Sequence, residues 1–175
     1  MISTTMREIR NHKDSRYLPD VVQSLLLAEF MQPSDEIFLV SPWVTDLHVI
    51  NNTAGQFSAF FPTWECRNIR FSEVLSAYAE RGTQIYVALR DDPVNTPFLK
   101  LFQGIPSPIC DHIHIRRAAT LHEKGLLTRH FYLSGSFNFT LSGITMNEEI
   151  ARLELAPSLI AETHIILSKR WKEGA

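Results

Sequence analysis

The sequence predicts an α/β fold with a mixed β-sheet flanked by helices, because strand-like apolar runs alternate with segments of helical periodicity. The clearest case begins at Phe71, where apolar residues recur with a period near 3.6 through Tyr78. Gly82 then ends this helix, and a run rich in β-branched residues from Thr83 to Leu89 predicts a strand. A helix that leads directly into a buried strand is typical of a layered α/β domain.

The N-terminal half begins with polar residues 1–16, for which we expect a loose arm. A helix is predicted over Leu18–Met31, since Pro19 suits a first helical turn and a leucine run forms the buried side. The apolar segment Ile37–Ser41 predicts a strand. The following residues, Thr45–Arg70, predict no regular element, and a loop of that length is usually functional or an interface. A partner or substrate contact and a simple packed excursion are both open.

In the C-terminal half, a short helix is expected at Asn95–Phe102, followed by a turn-rich link at Gly104–Pro108. The final helix, Pro157–Trp171, has a serine near its start. The remaining predicted strands are Asp111–Arg116, the two halves of Lys124–Gly135, and Ile150–Leu155.

Length and composition indicate one domain. The chain has 175 residues with 45% hydrophobic content, enough for a sizeable core. No internal repeat or low-complexity segment divides it, so we expect a single domain over residues 1–175.

Charge and cysteine content limit the class of protein. A formal net charge of −2 excludes a grossly basic nucleic-acid binder but allows a local phosphate-binding patch. Cys66 and Cys110 give no disulfide framework, which favours a reducing compartment. The N-terminus lacks the apolar core of a signal peptide, and no apolar run reaches the roughly 18 residues of a membrane span. We expect a soluble cytoplasmic protein without a membrane partner.

Chemically active residues concentrate between residues 121 and 150. On an extended strand, residues two apart project from the same face, so His122 and Lys124 would enter one cleft. An imidazole can act as nucleophile or general acid, and a lysine can bind phosphate oxygens. Ser136 and Asn138 repeat this spacing and would add a hydroxyl and an amide donor. The pattern predicts a site that holds and attacks a phosphodiester.

A catalytic histidine usually needs a third group that fixes its tautomer. Glu148 or Glu149 could orient and polarise the imidazole of His122, and we take Glu149 as the candidate site residue.

These residues carry a resemblance to a known family. His122-x-Lys124, Gly135-Ser136-x-Asn138 and Asn147-Glu148-Glu149 resemble the signature of the phospholipase D superfamily, often called the HKD family. The resemblance covers roughly residues 36 to 155 and includes Ser41-Pro42-Trp43, similar to the turn that ends the family's first core strand. More narrowly, the N-terminal half resembles small single-motif proteins found alongside 7-deazaguanine DNA-modification systems.

The resemblance implies a phospholipase D-like fold and a phosphodiester hydrolase that acts on nucleic acid, with DNA favoured. It implies a phosphohistidine on His122, charge neutralisation by Lys124, Ser136 and Asn138, and no metal or cofactor. The double-displacement scheme uses two histidines, whereas this chain has one motif. We therefore expect a twofold homodimer with the site at its interface, and protein partners in a DNA-modification system are possible.

One motif position departs from the family. The usual aspartate, five residues after the lysine, falls on Arg129, or on Thr128 if the turn is one residue shorter. The aspartate mainly supports the fold and the site in this family, so its loss weakens the assignment of activity more than that of fold. The alternative function is a non-catalytic phosphate- or DNA-binding subunit. Lipid hydrolysis is a weaker third choice, because no membrane-facing apolar segment or export signal is present.

Three further groups have open interpretations. Arg116, Arg117 and Arg129 are candidate phosphate-binding residues within a larger basic set, although scattered solvated charges explain that set equally well. Cys110, His112 and His114 could ligate a metal, but no second ligand pair with metal spacing exists. An aromatic group could stack on bases or fill a core or dimer interface. The rest of the basic set is Arg67, Arg70, Arg81, Arg90, Lys124 and His130, and the aromatic group is Trp43, Phe57, Phe60, Phe61 and Trp64.

Overall fold

A computed structural model describes residues 6–12, 15–60 and 63–173 of the chain. The strands are β1 (Met6–Asn11), β2 (Glu36–Val40), β3 (His48–Asn51), β4 (Asn68–Arg70), β5 (Gln84–Leu89), β6 (Ile113–Arg117), β7 (Gly125–Leu127), β8 (Tyr132–Gly135) and β9 (Glu149–Glu154). The helices are α1 (Tyr17–Met31), α2 (Phe71–Glu80), α3 (Thr96–Phe102), α4 (Leu141–Thr145) and α5 (Pro157–Ser168), which continues into a π-helical turn at Lys169–Glu173. The predicted α/β class is confirmed.

The main sheet has seven strands in the order β1-β9-β8-β7-β2-β5-β6. Strands β2, β5 and β6 run parallel, while β7, β8, β9 and β1 continue the sheet with antiparallel pairing. Strands β2 and β5 are short apolar runs, as expected for strands covered on both faces, whereas β6 at the sheet edge carries His114, Arg116 and Arg117. The carboxyl ends of the parallel strands meet at one edge of the sheet, which is where ligands bind in many α/β proteins.

Helices cover both faces of this sheet and form two clusters of buried side chains. The larger cluster lies under α1, α2 and α3, where Phe71 stacks with Phe98 and Phe139. The smaller one packs Ile160, Leu167 and Trp171 of the C-terminal segment against the other face. Full burial of each such large apolar side chain contributes about 1.5–3 kcal/mol to stability. None of the described helices is long and apolar enough to cross a membrane.

The expected loose N-terminal arm needs correction, because Met6–Asn11 forms strand β1 at the edge of the main sheet. Ile9 pairs with Ala151, and the amide of Asn11 donates to the Ile144 carbonyl at 3.0 Å. Most β1 side chains are exposed and several are charged, so no apolar alternation marks this strand in the sequence. The arm's residues 1–5, 13 and 14 lie outside the described part of the chain.

The segment Thr45–Arg70 is more ordered than the sequence predicts. Its ends form the antiparallel pair β3–β4, and the buried Asn52 organises the loop between them. The Asn52 amide donates to the carbonyls of Trp64 and Glu65 and accepts from the Phe57 amide. Trp64 inserts into the core against Phe30, with ring centroids 5.1 Å apart. These contacts favour the packed excursion over a partner contact.

A buried asparagine ties together the loops at the carboxyl edge of the parallel strands. The Asn95 side chain accepts from Val44 N at 2.8 Å and donates to the carbonyls of Pro42 and Arg90, each at 2.9 Å. It joins the turn after β2 to the turn after β5. A side chain that satisfies three buried backbone groups fixes both turns, since leaving any of them unpaired would cost about 1–3 kcal/mol.

Candidate active site

His122 and Lys124 lie at this carboxyl edge, in the loop that leads into β7. Their spacing predicts that they lie on the strand itself, but the strand begins at Gly125. The Lys124 ammonium donates to the His122 carbonyl at 2.7 Å, so the two residues form one local unit. His122 is exposed and Lys124 is half-buried.

Cross-strand register brings the second half of the motif to the same place. Gly125 is opposite Val40 on β2 and opposite Ser134 on β8. Ser136 and Asn138 follow the end of β8 and are therefore beside His122 and Lys124 at the sheet edge. The register therefore places these four residues at the same edge of the sheet.

Two glycines, Gly125 beside the motif and Gly135 within it, permit close ring and backbone approaches. A β-carbon at Gly125 would lie 2.5 Å from the ring of Tyr132, and one at Gly135 would lie 2.1 Å from the Ile150 carbonyl oxygen. Both distances are shorter than real β-carbon contacts, so a larger residue would displace the Tyr132 ring at position 125 and the backbone of β9 at position 135. The glycines thereby protect the register that assembles the site.

Glu149 contacts Ser136 instead of the imidazole. The Ser136 hydroxyl donates to the Glu149 carboxylate and accepts from Ile150 N at 3.0 Å. The Asn147 amide donates to the other carboxylate oxygen at 3.2 Å. Within the described part of the chain, no hydrogen bond joins Glu149 to His122. The predicted orienting contact is therefore absent there, and the Ser136 proton expected for phosphate is directed to Glu149.

Asn138 is oriented by the turn after β2. The buried Ser41 hydroxyl lies 2.9 Å from the Trp43 carbonyl and 3.4 Å from Asn138 Oδ1, and it accepts from Phe139 N at 3.3 Å. Because the amide oxygen faces Ser41, the NH₂ group is available to donate to a ligand. The Ser-Pro-Trp turn thus supports the predicted role of Asn138.

Arg90 also belongs to this site, although the sequence analysis placed it only in the general basic set. Its Nε donates to the Leu121 carbonyl at 2.7 Å, and its guanidinium lies 5.3 Å from the centre of the Trp43 ring. Trp43 is itself held by a hydrogen bond to Asp92 at 3.1 Å. An arginine directly after a buried parallel strand was the signal that could have singled it out.

Burial and the positive charge of Arg90 lower the pKa of Lys124, while the Glu149 carboxylate opposes this shift. Two cations are therefore held close together at one edge, beside an amide donor and an exposed imidazole. Such a cluster is suited to bind a phosphoryl group, whose charge would relieve the repulsion between the cations.

Comparison with known proteins bears on the fold. No family model and no curated protein sequence matches the chain. Among solved structures, NucT from Helicobacter pylori has a TM-score of 0.58 at 9% identity, covering 94% of each chain. Nuc from Salmonella typhimurium, a phospholipase D family member, has a TM-score of 0.56 at 16% identity, covering 95% of this chain and 93% of that one.

The chain has the phospholipase D fold. A third match is TrmBL2, described as an archaeal chromatin protein with a novel mode of DNA binding, at a TM-score of 0.54 and 14% identity. It covers 99% of this chain but only 54% of TrmBL2. The phospholipase D fold is therefore common to this chain and to at least one protein described by its DNA binding.

The aspartate position of the phospholipase D motif lies away from the site. Arg129 follows β7 at the opposite edge of the sheet, where its backbone N–H donates to the Ser34 hydroxyl at 2.9 Å. The neighbouring Thr128 is buried, and its hydroxyl accepts from His130 N and Phe131 N at 3.1 and 3.3 Å. Thr128 thus supports the β7–β8 turn, and the structure does not bring Arg129 to His122.

The other candidate binding residues divide between the two edges. Arg116 and Arg117 end β6 at the same edge as His122, and Arg117 pairs with Asp91 at 2.7 Å. His130 lies at the Arg129 edge, where its ring contacts the Gln32 carbonyl. Arg116 and Arg117 are therefore the members of the predicted binding set that could extend the site.

The remaining candidate groups have structural partners. His112 and His114 both hydrogen-bond the side-chain amide of Gln84, at 2.6 and 2.7 Å. The described residues contain no cluster of three or more His, Cys, Asp or Glu side chains that could hold a metal. Within the aromatic group, Trp43 lies at the site, Phe57, Phe60 and Trp64 pack with the core, and Phe61 is outside the described residues.

The lowered pKa of Lys124 predicts that phosphate binding is lost at a lower pH than an ordinary lysine would give. Its ammonium should deprotonate below the ordinary lysine value of 10.5, whereas an arginine would stay charged. Fluorescence anisotropy of a labelled oligonucleotide from neutral to alkaline pH should therefore show binding that persists to higher pH in Lys124→Arg than in the native protein. The same substitution at the exposed Lys100 should change nothing. Identical profiles for native and Lys124→Arg protein would contradict the assigned role.

Proposed function

We propose that this protein is a phosphodiester hydrolase that acts on nucleic acid through a phosphohistidine intermediate. The observation that carries this proposal is the convergence of His122, Lys124, Asn138 and Arg90 at one edge of a phospholipase D fold. Such an arrangement supplies a nucleophile, fixed cations and an amide donor to one phosphoryl group.

In the first step, an imidazole nitrogen of His122 attacks phosphorus and the bond to the leaving oxygen breaks. The leaving oxygen takes a proton from the second His122, contributed by the other copy of the chain in a homodimer. That second imidazole then removes a proton from water, which attacks phosphorus and releases His122. Lys124, Arg90 and Asn138 stabilise the charge on the non-bridging oxygens throughout.

Nucleic acid fits as the substrate class because the site is open and bordered by further cations. Arg116 and Arg117 end β6 at the same edge of the sheet, where they would contact flanking phosphates. Trp43, beside Arg90, could contact a base. Proteins of a DNA-modification system are the partner class that the N-terminal resemblance favours.

We expect His122→Ala to abolish cleavage of labelled single- or double-stranded DNA while the native protein remains active in excess EDTA. The imidazole is exposed and supplies the nucleophile, and the chain's own cations and amide carry the charge stabilisation. Gel-resolved cleavage and thermal melts test this together. His130→Ala, at the opposite edge, is the matched control and should retain native activity. Undiminished cleavage by His122→Ala, or loss of native cleavage on chelation, would refute the mechanism.

The shared site predicts a dominant effect of the inactive chain. Light scattering should give twice the 20.0 kDa of one chain. After subunit exchange, excess His122→Ala chain should suppress native activity, since every mixed dimer lacks one of the two histidines. Excess His130→Ala chain should not suppress it. A monomer at micromolar concentration, or activity proportional to the native chain alone, would argue against the shared site.

A non-catalytic DNA-binding subunit is the second candidate, favoured by Arg129 at the motif aspartate position and by the likeness to TrmBL2. If the protein is an enzyme, Arg129→Asp should change its rate by less than about tenfold, or 1.4 kcal/mol, because the residue lies at the far edge. If the missing aspartate has silenced the site, the native protein should bind DNA without cutting, and Arg129→Asp should restore cleavage. Parallel cleavage and binding assays distinguish the two functions.

A further inference from the structure

The residue between His122 and Lys124 contacts a different part of the molecule from its neighbours. The Glu123 carboxylate accepts from Arg170 Nη1 at 2.8 Å, in the π-helical turn that follows α5. Burial and this same carboxylate raise the pKa of Tyr132 to about 12. Glu123 therefore contacts the C-terminal turn, whereas the Lys124 ammonium bonds the His122 carbonyl at the carboxyl edge of the sheet.

The preceding residue is anchored to the same layer. The side chain of Leu121 is fully buried in the cluster that contains Leu167 and Trp171. Its carbonyl accepts from Arg90. The segment from Leu121 to Lys124 is therefore held by two groups of contacts. Arg90 binds the Leu121 carbonyl. The C-terminal residues Leu167 and Trp171 pack in one cluster with the Leu121 side chain, and Arg170 binds Glu123.

Arg170 is placed for this contact by its own surroundings. Its guanidinium lies 4.5 Å from the centre of the Trp171 ring, and Trp171 is buried in the cluster. The ion pair is partly exposed, with 48% and 31% of the Arg170 and Glu123 side chains accessible, so its direct contribution to stability is small. The pair nevertheless defines where the Glu123 carboxylate lies relative to the C-terminal turn.

We infer that Arg170 is a positioning residue, which sets the placement of His122 and Lys124 by fixing Glu123 between them. This inference rests on the proposed hydrolase function, since it assigns a purpose to the precise placement of the nucleophile. The C-terminal turn thereby becomes part of the active-site support, although it contributes no group to the chemistry.

The same turn offers a matched control. Lys172 forms an ion pair with Glu36 and is similarly exposed, but Glu36 begins β2 at the far edge of the sheet. Arg170→Gln and Lys172→Gln therefore remove equivalent ion pairs from one turn, and only the first contacts the motif.

Steady-state cleavage of a labelled oligonucleotide should show a kcat about tenfold lower for Arg170→Gln, with KM and melting temperature unchanged. Lys172→Gln should keep native kcat. The kcat of Glu123→Gln should equal that of Arg170→Gln, and the kcat of the double variant should be no lower than that of either single variant. The charge swap, Glu123→Arg combined with Arg170→Glu, should recover native kcat. Native kcat in Arg170→Gln, or equal losses in both turn variants, would overturn the inference.

A second readout separates this inference from the proposed function. The His122 ring resonance, assigned by its absence in His122→Ala, should shift in Arg170→Gln and stay in place in Lys172→Gln. An unmoved resonance overturns the positioning role, whether or not DNA is cleaved. Absence of cleavage by the native protein, with a shifted resonance, overturns only the proposed hydrolase function.

Discussion

One row of cross-strand pairs, at the carboxyl ends of the parallel strands, holds the site together. Val40 lies opposite Gly125, Gly125 opposite Ser134, and Ser134 opposite Arg152. Side chains alternate along a strand with a period of two, so a slip by one residue would turn Lys124 or Ser136 to the other face. The close approach of Gly135 to the Ile150 backbone opposes such a slip, because it leaves no room for a side chain at that position.

Local charge explains how a chain of net charge −2 can present a phosphate site. Two acidic groups at this edge have partners among the described residues: Asp91 pairs with Arg117, and Glu149 accepts from Ser136. Burial, and then the positive charge of the nearby Arg90, lower the pKa of Lys124. A dianionic or monoanionic phosphoryl group would balance these two cations, whereas the average charge of the chain says nothing about this edge.

Sequence periodicity predicts the helices and strands that bury apolar side chains in the core. The helix from Phe71 and the strand that ends at Leu89 agree with prediction to within a residue or two. Strand β1 was not predicted, because backbone pairing at a sheet edge needs no apolar pattern. The charged residues Arg7, Glu8 and Arg10 instead make this segment look like an irregular polar arm. Propensity therefore fails where long-range pairing decides the structure.

The same distinction applies to the site. The motif spacing predicts His122, Lys124 and Asn138 as site residues, but the partner of Glu149 depends on how β8 and β9 align, which no local pattern encodes. Arg129 and Arg117 look equivalent in the sequence, yet they lie at opposite edges of the sheet, because β7 runs antiparallel to β2 whereas β6 is parallel to the adjacent β5. Topology, more than composition, decides which basic residues can meet a phosphate.

The central claim is that His122 forms a covalent bond to phosphorus. Rapid quenching of the protein with an oligonucleotide substrate under alkaline conditions, which preserve phosphohistidine, followed by peptide mass spectrometry, tests this most directly. The account predicts a phosphoryl-linked adduct on the peptide that contains His122, and its absence from His122→Ala protein. Cleavage that proceeds with no adduct, or with an adduct on another residue, would contradict it.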